Sequence, residues 1–174
     1  MELLLIRHAA AEDRETFAAT GAPDEDRPLT GRGRRRMRSA ARGLVSLVPR
    51  IDLLATSPWA RARETAEILA RAYRPRAPSP VATDLLIPGA DDDALRRWIA
   101  AESTPGVVAL VGHEPHLSHF MGWLLTGSAS GEITCFKKGA VAHLRVDPSH
   151  PPGHATLTWF LTPRHLRSLD AVRT

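Results

Sequence analysis

The chain has 174 residues, enough for a substantial core, and is read as a single domain over residues 1–174. At 43% hydrophobic and 24% charged residues it has an ordinary globular composition. No stretch approaches the ~18 apolar residues of a membrane span or resembles a secretory leader, so a cytoplasmic location with no membrane partner is expected. Cys135 is the only cysteine, which excludes a disulfide framework and a cysteine-based metal site; it reads as a core filler. Of the 23 basic residues only Lys137 and Lys138 are lysines, and the net charge is +4.

Met1 to Ile6 is a short apolar run without polar alternation, which predicts a buried central strand of a parallel sheet. It ends abruptly in Arg7-His8. Ala11 to Pro28 carries acids and two prolines and reads as a loop bordering that edge. Thr30 is the expected N-cap of a helix from Gly31 to Val48, with Met37, Ala41, Leu44 and Val48 on its apolar face and Pro49 as its stop. The arginine-rich run Arg32 to Arg38 lies on this helix. It has no interleaved aromatics to stack bases, so it reads as a solvated face, and no nucleic-acid partner is expected.

Ile51 to Thr56 is a second short strand. Ser57-Pro58 then supplies an N-cap and a first-turn proline for a helix running to about Tyr73. Val81 to Ile87 includes a short strand. Asp91 or Asp92 caps a helix carrying Leu95, Trp98 and Ile99. Val107 to Val111 is the clearest strand, ending in Gly112-His113-Glu114-Pro115. Leu117, Phe120, Met121, Leu124 and Leu125 mark the helix after it, which ends near Gly127. Ala140 to Val146 and Thr156 to Leu161 read as two more strands joined by a turn at Asp147 to Gly153, and Pro163 opens a last helix. Strands alternating with helices predict an α/β three-layer sandwich with a mostly parallel central sheet and helices on both faces.

Three of these strand ends carry a cation or an imidazole beside a helix start: Arg7-His8, Arg61 and His113. Arg61 falls in the first turn of its helix, where the dipole disfavours a cation and free N–H groups favour an anion. An open α/β sheet brings such strand ends to one crevice. Two guanidiniums and two imidazoles there suit a tetrahedral dianion: the arginines bind its oxygens, one neutral imidazole attacks phosphorus, and the other, protonated, stabilises the transition state. That division predicts a bell-shaped pH profile. His116 and His119, at i and i+3, are weighed as metal ligands, but nothing completes a site; neither metal nor cofactor is expected.

At these residues the chain resembles the histidine phosphatase superfamily, which includes the phosphoglycerate mutases. Leu3-Leu4-Leu5-Ile6-Arg7-His8-Ala9 is similar to its Arg-His block, with Ala9 where glycine is common. Pro28-Leu29-Thr30-x-x-Gly33 is similar to a second block. Thr56-Ser57-Pro58-Trp59-Ala60-Arg61-Ala62-Arg63-Glu64-Thr65-Ala66 is similar to a third, with Glu64 in place of glutamine. Val111-Gly112-His113-Glu114-Pro115 is similar to the fourth. The resemblance implies His8 as nucleophile, Arg7 and Arg61 as phosphate clamps and His113 as the second pocket histidine.

The modest length, Lys137-Lys138-Gly139-Ala140 and Trp159-x-Leu161-Thr162-Pro163 resemble the short SixA-type phosphohistidine phosphatases. That branch implies a phosphoglycerate mutase-like fold without a cap domain, and a site open to a phosphohistidine on a protein surface. The acidic residue that larger relatives use as general acid has no aligned counterpart here, and Asp84 and Glu114 are the candidates. A phosphatase of small phosphoesters (nucleotide or sugar phosphates) is the alternative. A phosphate-binding module without turnover is the alternative from another class, and a mutase fits an open site least. A monomer is expected.

Overall fold

The computed structural model describes residues 1–76, 78–102, 106–128, 133–147 and 149–171. Its centre is β1 (Glu2–Arg7), whose four middle residues are buried on both faces, as its unbroken apolar run requires. Six strands form one sheet in the order β3 (Val81–Ala82), β2 (Leu53–Thr56), β4 (Val107–Gly112), β1, β5 (Val141–Arg145), β6 (Thr156–Leu161). The first four of these are parallel, and β5 and β6 close one edge as an antiparallel pair. The turn joining that pair includes Pro148, which lies outside the described residues.

Two apolar clusters sit on opposite faces of the sheet. Leu4 and Ile6 pack with α2 (Gly31–Leu47), α3 (Ala60–Ala72) and α6 (Pro163–Ala171). Leu3 and Leu5 pack with α4 (Asp92–Glu102) and α5 (His116–Thr126). The fold is therefore the three-layer α/β sandwich predicted, with no cap domain evident among the described residues. Gly43 allows the closest helix contact: a Cβ there would lie 1.9 Å from the Leu166 carbonyl oxygen, so α2 and α6 approach to backbone contact.

Three local expectations are corrected. Ser57 does not cap α3, which starts at Ala60 with Trp59 in the capping position and no capping side chain. The 11–28 segment contains a short helix, α1 (Arg14–Ala18), capped by Asp13, and a 3-10 turn over Asp24–Asp26. Cys135 is exposed and fills no core. By contrast, Thr30 caps α2 through its hydroxyl, which accepts from Gly33 N at 2.9 Å. Asp91 does the same for Ala94 N at 2.6 Å.

Candidate active site

The carboxyl ends of β1, β4 and β2 are neighbours, and they deliver Arg7-His8, His113 and Ser57 to one place. The backbone there is tied across the strands. His8 N donates to Gly112 O at 3.0 Å, Ser57 N to Val111 O at 2.9 Å, and Gly139 N to His8 O at 3.0 Å. The His8 and His113 ring centroids lie 5.1 Å apart. All four residues singled out from the sequence, Arg7, His8, Arg61 and His113, meet at this edge.

The motif residues around them have mechanical reasons. Ala10 O accepts from Thr30 N at 3.0 Å, and a Cβ on Gly33 would meet that same oxygen at 2.1 Å. Only glycine lets α2 press against the segment that follows His8. The Thr65 hydroxyl accepts from Ala9 N at 3.1 Å and donates to Arg61 O at 2.7 Å, coupling that segment to the first turn of α3. Glu64 takes Arg34 Nε at 2.6 Å and Leu29 N at 3.3 Å, so it braces α2 rather than reaching Arg61.

Each imidazole has a defined tautomer. The His8 Nδ1 atom lies 2.8 Å from Ala9 O, and a carbonyl only accepts, so Nδ1 carries the proton and Nε2 keeps its lone pair. The His113 Nε2 atom lies 2.9 Å from Ser57 Oγ. That hydroxyl also accepts from Trp59 N at 3.3 Å, and with no other acceptor for its own proton among the described residues it donates to Nε2. The network thus assigns the His113 proton to Nδ1, a buried atom with no hydrogen-bond partner among the described residues. Arg7 Nε and Arg61 Nε share that condition. Three unpaired nitrogens at one sheet edge would be costly in an ordinary core.

Burial dominates the electrostatics. It pulls His8 down to about 3, with Arg61, Arg7 and Lys138 pushing the same way against the Ala9 hydrogen bond. It pulls His113 down to about 2, and the neighbouring His8 and Arg61 add to the effect. Both imidazoles are therefore neutral at pH 7 in the unliganded site. A protonated His113, expected from the sequence, requires the negative charge of a bound phosphate. The acid limb expected for a bell-shaped profile moves correspondingly below pH 4 in the free protein.

Sequence reasoning missed Asp24. Arg61, only 4% exposed, donates from Nη1 to Asp24 O at 2.7 Å and from Nη2 to Asp24 Oδ2 at 3.0 Å. Its guanidinium carbon stands 4.5 Å from the centre of the Trp59 ring. Burial pushes Asp24 up, but Arg27 and Arg61 outweigh it and hold the carboxyl below its usual range. No local pattern points to a contact spanning 37 residues. Ser57 had a signal: like His8 and His113, it is a polar side chain placed directly after a strand.

The two candidate acids sit differently. Glu114 accepts from Phe136 N at 2.6 Å and from the Ser118 hydroxyl, while Arg7 Nη1 donates to Phe136 O. Glu114 and Arg7 thereby hold the backbone of one residue, Phe136, by its N–H and by its carbonyl. Asp84 is exposed and opens a 3-10 turn over Asp84–Leu86, next to Thr83, whose N–H bonds Thr56 O at 2.9 Å. Of the histidines weighed as metal ligands, His116 places Nε2 3.0 Å from Asp92 Oδ1. No group of three or more His, Cys, Asp or Glu side chains with metal-binding geometry occurs among the described residues.

Comparison with known proteins gives the chain a family. The histidine phosphatase superfamily (branch 1) matches residues 3–84. An uncharacterized protein of Picosynechococcus sp. is 35% identical over 165 residues, covering 92% of this chain and 94% of that one. The phosphohistidine phosphatase SixA of Escherichia coli is 27% identical over 175 residues, 99% of this chain and 100% of that one. The structure of the protein histidine phosphatase SixA complexed with tungstate superposes with a TM-score of 0.80 at 25% identity, over 95% of this chain and 99% of that one. The chain therefore belongs to the histidine phosphatase superfamily, in its SixA-type branch, as a phosphatase.

Proposed function

We propose that this phosphatase hydrolyses phosphohistidine in proteins through a phosphoryl intermediate on His8. The observation that carries the reading is the set of buried, unpaired nitrogens (Arg7 Nε, Arg61 Nε and His113 Nδ1) around an imidazole whose Nε2 lone pair is free to attack. A dianion would satisfy all three at once. The relative SixA, named a phosphohistidine phosphatase and solved with tungstate, an oxyanion shaped like phosphate, supports the substrate class.

In the first step the His8 Nε2 lone pair forms a bond to phosphorus as the bond from phosphorus to the leaving imidazole breaks. That imidazole, protonated on its far nitrogen, leaves as a neutral molecule, so this substrate makes no demand on Asp84 or Glu114. Arg7 and Arg61 hold the equatorial oxygens, and His113 donates from Nδ1 to the developing charge. Water then attacks the phosphoenzyme, releasing phosphate and restoring neutral His8. For a phosphoester, by contrast, the leaving oxygen needs a proton, and exposed Asp84 is the candidate to supply it rather than Glu114, whose carboxylate already accepts two hydrogen bonds.

The test mixes the protein with a histidine-phosphorylated protein in the presence of a chelator, then maps acid-labile phosphate on the enzyme. Label on His8, absent from His8→Ala together with turnover, is expected. Wild-type turnover by His8→Ala would overturn the mechanism. A panel of small phosphoesters beating the phosphoprotein by orders of magnitude in kcat/KM would select the other substrate class.

A further inference from the structure

Several arginines of this chain outside the pocket are paired: Arg34 bonds Glu64, Arg42 bonds Asp170, Arg50 bonds Asp52, and Arg96 and Arg97 both reach Asp93. A cluster without such partners stands at the start of α2. Arg32, Arg35 and Arg36 are exposed in the first two turns of α2, and none has an ion-pair partner among the described residues. That first turn carries no acid, whereas α4 opens with Asp92 and Asp93. A cation in the first turn opposes the dipole, so Arg32 there costs the fold a few tenths of a kcal/mol without local return. Arg167, on α6, faces the same group and is likewise without an ion pair among the described residues; Arg32 and Arg167 repel Arg36 strongly enough to pull its pKa down.

The cluster borders a hollow next to the site. Arg36, Arg167 and Lys138 line it together with Met37, Pro163 and Ala9-Ala10, the two residues that follow His8. Lys138 belongs to both places, since its charge also acts on His8. We infer that the face formed by the start of α2 and by α6 docks the acidic surface of the protein whose phosphohistidine enters the site. This rests on the phosphoprotein reading above and adds the partner's chemistry to it: a net negative surface beside the phosphorylated residue. Carboxylates brought between Arg32, Arg36 and Arg167 would relieve their mutual repulsion. The fixed positive field beside the nucleophile also speeds encounter with such a partner. Among the described residues no aromatic side chain lines the hollow beside these cations to stack a base, which favours a protein over a nucleic acid.

The experiment compares wild type with Arg32→Glu/Arg36→Glu and, separately, Arg167→Glu. One substrate is a histidine-phosphorylated protein of net negative charge, and the other is para-nitrophenyl phosphate. For the phosphoprotein, kcat/KM is expected to fall 10- to 100-fold in the double variant, mostly through KM, and to lose most of its dependence on salt between 50 and 300 mM. For the small ester the change stays within twofold, which also shows that the variants fold. Equal loss on both substrates, or no loss on the phosphoprotein, overturns the docking face while leaving the phosphoprotein reading intact. A wild-type protein that turns over the ester but no phosphohistidine protein overturns both. Competition by an RNA oligonucleotide at lower concentration than the acidic phosphoprotein assigns the face to nucleic acid and overturns the proposal.

Discussion

The two imidazoles that face each other across the pocket are held by different kinds of group. His8 gives its Nδ1 proton to the carbonyl of the next residue, so its tautomer is set by the backbone, and no side-chain substitution removes that partner. His113 is held through the hydroxyl of Ser57, which comes from another strand 56 residues away. One ring is fixed by chain connectivity and the other by a side chain. The nucleophile therefore tolerates change around it, while the second histidine depends on a partner that mutation can remove or a bound anion can override. Both are buried and neutral in the unliganded site, and His113 is the one left with an unpaired N–H to turn toward a phosphate.

The widest separation between the two rings is kinetic. His113→Ala is expected to lower kcat/KM about 10²- to 10³-fold, the loss typical of a donor to developing transition-state charge, while phosphate still becomes attached to His8. Rapid quench with radiolabelled phosphoprotein would show slow but stoichiometric labelling. If labelling vanished as it does in His8→Ala, the two rings would share one role and the distinction would fail.

The next effect is on stability. Both folded pKa values, about 3 for His8 and about 2 for His113, lie below the ordinary 6.5. Between pH 6.5 and about 3 the unfolded chain therefore binds more protons, and stability falls as pH is lowered through that window. Each ring contributes a loss of roughly 2 kcal/mol between pH 7 and 5. Urea denaturation across this range should show a slope about halved in His113→Asn. An unchanged slope would mean that His113 already binds a proton in the folded protein at pH 5.

Much of this was legible in the chain itself, for reasons visible in particular residues. Leu3 to Ile6 is apolar without alternation because β1 is covered on both faces. Arg7, His8 and His113 stand out because polar side chains directly after such strands have only the sheet edge to occupy. The motif Pro28-Leu29-Thr30-x-x-Gly33 was recognisable, but its reason, the Ala10 carbonyl against Gly33, belongs to tertiary structure. The start of α3 was misplaced because Ser57-Pro58 makes a good local cap. The hydroxyl does accept from Trp59 N two residues on, but it also bonds His113, and the helix begins only at Ala60. Asp24 was hidden for the same reason: its importance comes from Arg61, which the chain brings to it only on folding.

Ser57→Ala is the smallest and sharpest break. It removes one hydrogen bond to an imidazole that stays buried, a change of about 1.4 kcal/mol in the transition state and so about tenfold in kcat/KM. A merely structural serine would give a loss independent of pH and no change in the ring. If the hydroxyl sets the tautomer, the imidazole ¹⁵N spectrum of His113 should change from one protonated at Nδ1 to a mixture of both forms, while His8, still bound to Ala9 O, keeps its signal. Ser57→Thr, which retains the hydroxyl, should recover the wild-type spectrum and most of the rate. An alanine variant with the wild-type spectrum and a reduced rate would place the hydroxyl on the substrate phosphate instead. The contrast between the two rings would then lie in what they contact rather than in what holds them.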